Sequence, residues 1–294
     1  DKALVFNAEF TPNSITLIGD STLSAVETKY QSLTISGSGS LTAGSIKVHN
    51  QKTSSDDKPN LTITGAAQVT VNRPSNEDLR AIDIDGDLTV TNGSLTATST
   101  STKPTVQVGG NATFTGSTVT ITNYSTTQGE RYKDSYEVSS ALHVDGAITI
   151  SGGEVTATAT AGGDAIRAVG NITVSNDATV IAQNNSQYFS AITAGRATSG
   201  EVNTLYKLIV SGKNTSITAT NTHDNNLTYG GAINAYIENA NEGYYLKANT
   251  DSKAIVPNDS TTVRSNSLTI TRGDAYTTPQ VAANYTIAGQ TMYV

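Results

Sequence analysis

Cysteine is absent, which removes disulfides, thiolate metal sites and cysteine nucleophiles together. Tryptophan is absent too, methionine occurs once, and only 15% of the 294 residues are charged. With 36% hydrophobic residues, the chain has little material for a thick globular core and enough for a thin stacked one. No run of 18 apolar residues occurs, so no membrane-spanning helix is expected. Basic charge is also short: the formal net charge is −7 and the pI near 4.9, which disfavours nucleic acid as a partner. Histidine is confined to His49, His143 and His223, and no Ser/His/Asp constellation stands at usable spacing. A cysteine-free acidic chain of this kind fits a protein exported by a bacterium.

What is abundant is repetition. Residues 147–170, AITISGGEVTATATAGGDAIRAVG, hold three short runs of alternating apolar and polar residues: Ile148 to Ile150, Val155 to Ala157 and Ile166 to Ala168. Glycine-bearing turns lie between them. Copies of the first run begin at Leu33, Leu61, Leu88, Ala112, Ile148, Ile172 and Leu208, spaced by 28, 27, 24, 36, 24 and 36 residues. A bare unit of 24 residues with insertions is the signature of a stacked repeat. The period of two inside each run predicts strands with one buried face. The expected fold is therefore all-β: a right-handed parallel β-helix, three short strands per coil, about eight to ten coils. Each strand would pair in parallel with the next coil's counterpart about 4.8 Å away, with the usual right-handed crossover.

The alternation also assigns the core. The first strands turn Ile35, Ile63, Val90, Phe114, Ile150, Val174 and Val210 inward, and the third strands begin with pairs such as Ile82/Ile84 and Leu142/Val144. Gly86-Asp87, Gly110-Asn111, Gly146-Ala147 and Gly170-Asn171 mark the corner after the third strand, where glycine and asparagine are expected to supply positive φ. Residues 1–30 read as an N-terminal cap and partial coil, 31–236 as the β-helix, and 237–294 as C-terminal coils and cap of the same domain. Several insertions fall between the second and third strands, which predicts loops stacked along one edge.

Candidate functional residues follow from that layout. Tyr124, Tyr132, Tyr136, Tyr188 and Tyr229 lie in insertions, with Tyr206 in an extended coil beside them; aligned, they would line a groove suited to stacking on sugar rings. Packing of each ring onto its own loop is the competing reading. Asp83, Asp85 and Asp87 place carboxylates on one outward stretch, a candidate calcium site, against the plainer reading of a solvated face. His143 and Arg167 fall in one outward column with Asp83, Gln107, Thr193 and Asn234, a polar stripe able to read a polysaccharide. Carboxylates are too sparse along it for glycosidase chemistry, so no catalytic residue is assigned. Paired threonines recur on the first and second strands as two-rank ladders similar to those of ice-binding solenoids, although threonine is also simply a good outward strand residue.

The wording ITISGGEVTATATAGGDAIRAVGNITVS resembles the repeats of bacterial cell-surface right-handed β-helix proteins with carbohydrate-binding domains, pectate-lyase-like in shape. The likeness spans roughly residues 31–235. It implies export to the extracellular face of a bacterium and non-catalytic binding of an acidic or plant polysaccharide or a cell-surface glycan, with calcium in some members and no required cofactor. A monomer is expected. A polysaccharide lyase or hydrolase, a structural stalk, and at a distance an ice-binding surface are the alternatives.

Overall fold

The repeat returns each segment beside its counterpart one unit earlier, so the dominant contact is the parallel ladder. The computed structural model describes residues 2–7, 9–52, 58–74, 79–127, 138–198, 201–223, 231–248, 254–255, 260–261, 265–275, 285–287 and 290–292. These residues are all-β, without a helix, and form a ten-stranded sheet, a nineteen-stranded sheet and a two-stranded ribbon. Among them, no helix is long and apolar enough to cross a membrane.

The third segments build the ten-stranded sheet. Ala3–Phe6, Ala25–Thr28, Ile46–Val48, Ile82–Ile84, Val106–Val108, Leu142–Val144, Ile166–Ala168, Ile192–Thr198 and Ile233–Asn234 follow one another in parallel. The tenth strand, Glu201–Leu205, pairs antiparallel with Ile192–Thr198 as a hairpin.

First and second segments share the nineteen-stranded sheet, where the sequence suggested two separate faces. Ala112–Asn123 and Ile148–Ala159 are each a single 12-residue strand running through both segments. The joint is a left-handed residue that bends the strand without ending its ladder. Gly37, Gly65, Asn92, Gly116, Gly152, Asn176 and Gly212 all have positive φ, between 53° and 104°. Positive φ therefore belongs to the corner between first and second segments, not to the glycine-asparagine corner after the third.

The core is a stack of like on like. Ile63 lies beside Val90, Val90 beside Phe114, Phe114 beside Ile150 and Ile150 beside Val174, all fully buried. The outward residues between them are Thr or Ser in every unit from Ser14 to Ser175, as the in-register columns require. At the C-terminal end the direction reverses: Ser267–Ala275 lies antiparallel on Ser216–Asn221 and Tyr244–Ala248, burying Leu268 and Ile270. An antiparallel strand laid across the last parallel rung covers an edge that would otherwise keep pairing.

A side-chain ladder holds the corner after the third segment. The residue before each first segment accepts a hydrogen bond from the backbone N–H of its counterpart in the next unit. Ser32 Oγ takes Asn60 N at 2.9 Å, Asn60 Oδ1 takes Asp87 N at 2.7 Å, Asp87 Oδ1 takes Asn111 N at 2.7 Å and Asn111 Oδ1 takes Ala147 N at 2.9 Å. Ala147 has no side-chain acceptor, so the series stops there; Asn171 Oδ1 resumes it to Lys207 N at 2.9 Å. The preceding glycines make room for these oxygens. A Cβ on Gly86, Gly110 or Gly146 would stand 2.2–2.4 Å from Asn60 Oδ1, Asp87 Oδ1 or Asn111 Oδ1 respectively. Gly170, facing Ala147, meets nothing closer than 3.1 Å.

Candidate functional site

Alternation turns one residue of each third segment away from the core. Register sets these in a single column: Glu27, Lys47, Asp83, Gln107, His143, Arg167, Thr193, Asn234. Successive side chains stand about 4.8 Å apart. The insertions flank this sheet on both sides. Residues 74–81, 100–105, 124–141, 185–191 and 222–232 follow second segments; residues 49–60 and the Gly195 to Leu205 hairpin follow third segments. The expectation of loops on one edge is thus corrected: the corner after the third segment takes inserts as well, because its side-chain ladder fixes only the last residue before the next strand. The first-to-second corner stays short: the strand runs through it in Ala112–Asn123 and Ile148–Ala159, and two to five residues make it in the other units from Asn13 to Asn221.

The column has an open and a covered half. In the open half Glu27, Lys47 and Asp83 are half-buried. Asp83 Oδ2 lies 3.2 Å from Arg80 Nη1 and 3.5 Å from His49 Nε2. The latter is at the long limit for a hydrogen bond. Interaction with Asp83 raises His49 above its ordinary value, against the effect of burial. Burial pushes Asp83 up, but His49 and Arg80 outweigh it and hold the carboxyl below its ordinary range. Asp85 Oδ2 accepts Asn50 N at 2.7 Å. Beyond it, Lys52 Nζ lies 3.2 Å from Glu9 Oε2 and over the rings of Phe10 and Tyr30, 5.1 and 5.7 Å from their centroids.

In the covered half, Gln107 is 8% exposed and His143, Arg167 and Thr193 are 1% exposed. His143 and Arg167 are therefore not the open surface residues that the sequence suggested. Outward from the sheet is not outward into solvent where flanking segments fold over it. Asp145 Oδ1 pairs with His143 Nε2 at 2.9 Å, and Asp145 Oδ2 accepts Gln107 Nε2 at 3.4 Å. Asp164 Oδ2 receives Arg167 Nη1 at 3.2 Å, while its Oδ1 accepts Thr193 Oγ1 at 2.5 Å and Ser190 N at 3.2 Å. Arg167 Nη2 also donates to Gly195 O at 3.3 Å. Burial depresses His143, and Arg167 adds to that, against the hydrogen bond to Asp145. Burial raises Asp145, but the His143 bond and charge outweigh it and leave the carboxyl low.

Buried asparagines tie the covering segments down. Asn123 Nδ2 donates to Lys103 O at 2.9 Å and Ser140 O at 3.3 Å, Asn184 Nδ2 to Gly163 O and Phe189 O, and Asn221 Nδ2 to Ser186 O and Phe189 O. The sequence reading made no site residue of Arg80, Asp164 or these asparagines. The usable signals were the acid–base spacing of three in Arg80/Asp83 and Asp164/Arg167, and the recurrence of Asn at the end of second segments.

The other candidates separate. Asp87 is part of the corner ladder, Asp85 is bonded to backbone and Asp83 to Arg80, so the three do not converge. Among the described residues no group of three acidic or histidine side chains is placed to hold a metal. Tyr124, 53% exposed, and Tyr188, half-buried, follow second segments; Tyr206, 37% exposed, precedes a first segment at the opposite edge. These tyrosines do not form one row. Tyr132, Tyr136 and Tyr229 lie outside the described residues.

Comparison with known proteins returns no match to a family model, a curated protein or a solved structure.

Proposed function

We propose that the chain is a right-handed parallel β-helix, akin to the bacterial surface repeat proteins that its wording resembles. It serves as a non-catalytic carbohydrate-binding or adhesin-like module on the outside of the cell. The observation that carries this is the register of the ten-stranded sheet: third segments stacked in parallel set one outward side chain per rung in a single polar column. A column with one polar side chain per rung suits an extended polymer lying along the stack. Its ligand enters over Glu27, Lys47 and Asp83, where polar groups are accessible. No catalysis is assigned, because Asp83, Asp145 and Asp164 are each held by fixed partners rather than facing one another across a gap. A calcium ion is not required.

Retention on a glycan array or in affinity gels tests the reading. It expects at least one plant, host or bacterial glycan to be retained, and retention to weaken in Arg80→Ala/Asp83→Ala. Failure on every glycan contradicts it and favours the stalk. The unbroken Thr and Ser columns favour one second reading, adsorption to ice; absence of thermal hysteresis at millimolar protein removes it.

A further inference from the structure

Phe10, at 87% exposure, is the most exposed aromatic side chain among the described residues. A phenyl ring left in water forgoes the gain of burial, yet this one is held in place. Lys52 Nζ lies 5.1 Å from the centre of the Phe10 ring and 5.7 Å from that of Tyr30. One ammonium thus joins two rings that follow successive third segments, Ala3–Phe6 and Ala25–Thr28. Glu9 Oε2 fixes that ammonium at 3.2 Å, and Gln31 Nε2 donates to Glu9 O at 2.5 Å. The backbone beneath Lys52 is held as well: Gln51 N donates to Lys29 O at 2.8 Å, Asn50 N to Asp85 Oδ2 at 2.7 Å and Lys52 N to Asn50 Oδ1 at 2.9 Å. The segment that brings His49 to Asp83 therefore also carries Lys52, which sets the Phe10 ring at the edge of the open half of the column.

We propose that Phe10, positioned by Lys52, is a stacking platform for a neutral glycan of all-equatorial pyranoses, a β-1,4-linked glucan or xylan. This rests on the glycan-binding reading above and names the ligand class and its anchor. The phenyl ring carries no polar atom, so it recognises only an apolar surface. Pyranoses whose substituents are all equatorial present such a surface on both faces, as axial C–H bonds. Holding the ring before the sugar arrives lowers the entropy cost of stacking. The hydroxyls project around the edge of the sugar, and the open half supplies polar partners for them in Glu27 and Lys47. A polygalacturonate fits worse. Its α-1,4-linked residues carry axial oxygens, and the cation at the platform is already paired with Glu9.

Isothermal titration with cellotetraose, xylotetraose and tetragalacturonate tests the platform, on the full chain and on Phe10→Ala and Phe10→Tyr. The proposal expects cellotetraose or xylotetraose to bind at least tenfold more tightly than tetragalacturonate. Phe10→Ala should lose at least tenfold in affinity for that neutral sugar while its melting temperature stays at the parent value, because the ring is not part of the core. Phe10→Tyr keeps the ring and should bind like the parent. Tetragalacturonate binding as tightly as the neutral sugars overturns the platform. So does Phe10→Ala binding like the parent, or Phe10→Tyr weakening as much as Phe10→Ala. These results leave the glycan-binding reading standing. Failure of the parent to bind any of the three sugars overturns the platform, and failure on the wider array as well overturns the glycan-binding reading beneath it.

Discussion

His49 and His143 border the same sheet and each has an aspartate partner, yet they are pushed in opposite directions. His49 sits in the open half against Asp83 and is raised; His143 sits in the covered half against Asp145 and is lowered. His143 stands within the strand Leu142–Val144, and His49 directly follows the strand Ile46–Val48 of the same sheet. What differs is the length of chain inserted beside each rung and whether it folds over the column. In this molecule the repeat decides where a side chain points, and the insertions decide whether it meets water.

The largest expected effect separates the halves by stability. Arg167→Ala leaves Asp164 buried without its counter-ion and should cost about 3–5 kcal/mol in chemical denaturation. Arg80→Ala removes the equivalent partner of Asp83 in the open half and should cost less than about 1 kcal/mol. Equal losses would erase the distinction.

The corner ladder offers a second contrast of intermediate size. Gly110→Ala drives a Cβ to 2.2 Å from Asp87 Oδ1 and should cost about 1–3 kcal/mol, whereas Gly170→Ala, opposite Ala147, should cost clearly less. Ala147→Asn restores the missing acceptor opposite Asn171 N–H, with Gly170 already providing room. It should stabilise by about 0.5–1.5 kcal/mol, read as a higher melting temperature.

Acidity gives a further test. His143 is depressed, so its contribution is intact above about pH 6.5 and declines as the pH falls from there toward the folded-state value. The parent should lose melting temperature on acidification over that range, and His143→Phe should lose less. His49 is raised, so its contribution is present below about pH 6.5 and disappears as the pH rises through the folded-state value. His49→Gln should narrow the gap between mildly acidic and neutral stability, by a smaller amount because His49 is part-exposed.

Much of the architecture was legible in the residues. Period two within a 24-residue beat placed Ile63, Val90, Phe114 and Ile150 in one buried column, and the alternation put Asp83, Gln107, His143 and Arg167 in another. The corners were half legible. Gly86 and Asn111 were recognisable as corner residues, but their purpose was not backbone φ. It was the space for, and supply of, a side-chain acceptor one unit along, which shows only when units are stacked. The site was least legible, because exposure depends on insertions that do not repeat. Nothing local to His143 says that a distant segment covers it, and nothing local to Tyr206 says that its loop leaves the stack at the opposite edge from Tyr124.

The division of one column into open and covered halves is tested most directly by following the ring protons of the three histidines by NMR across pH. His49→Gln and His143→Phe assign the signals. His49 should titrate above the ordinary value of about 6.5 and His143 below it. Both titrating together near the ordinary value would show that the two halves are equally wet, and would contradict the account.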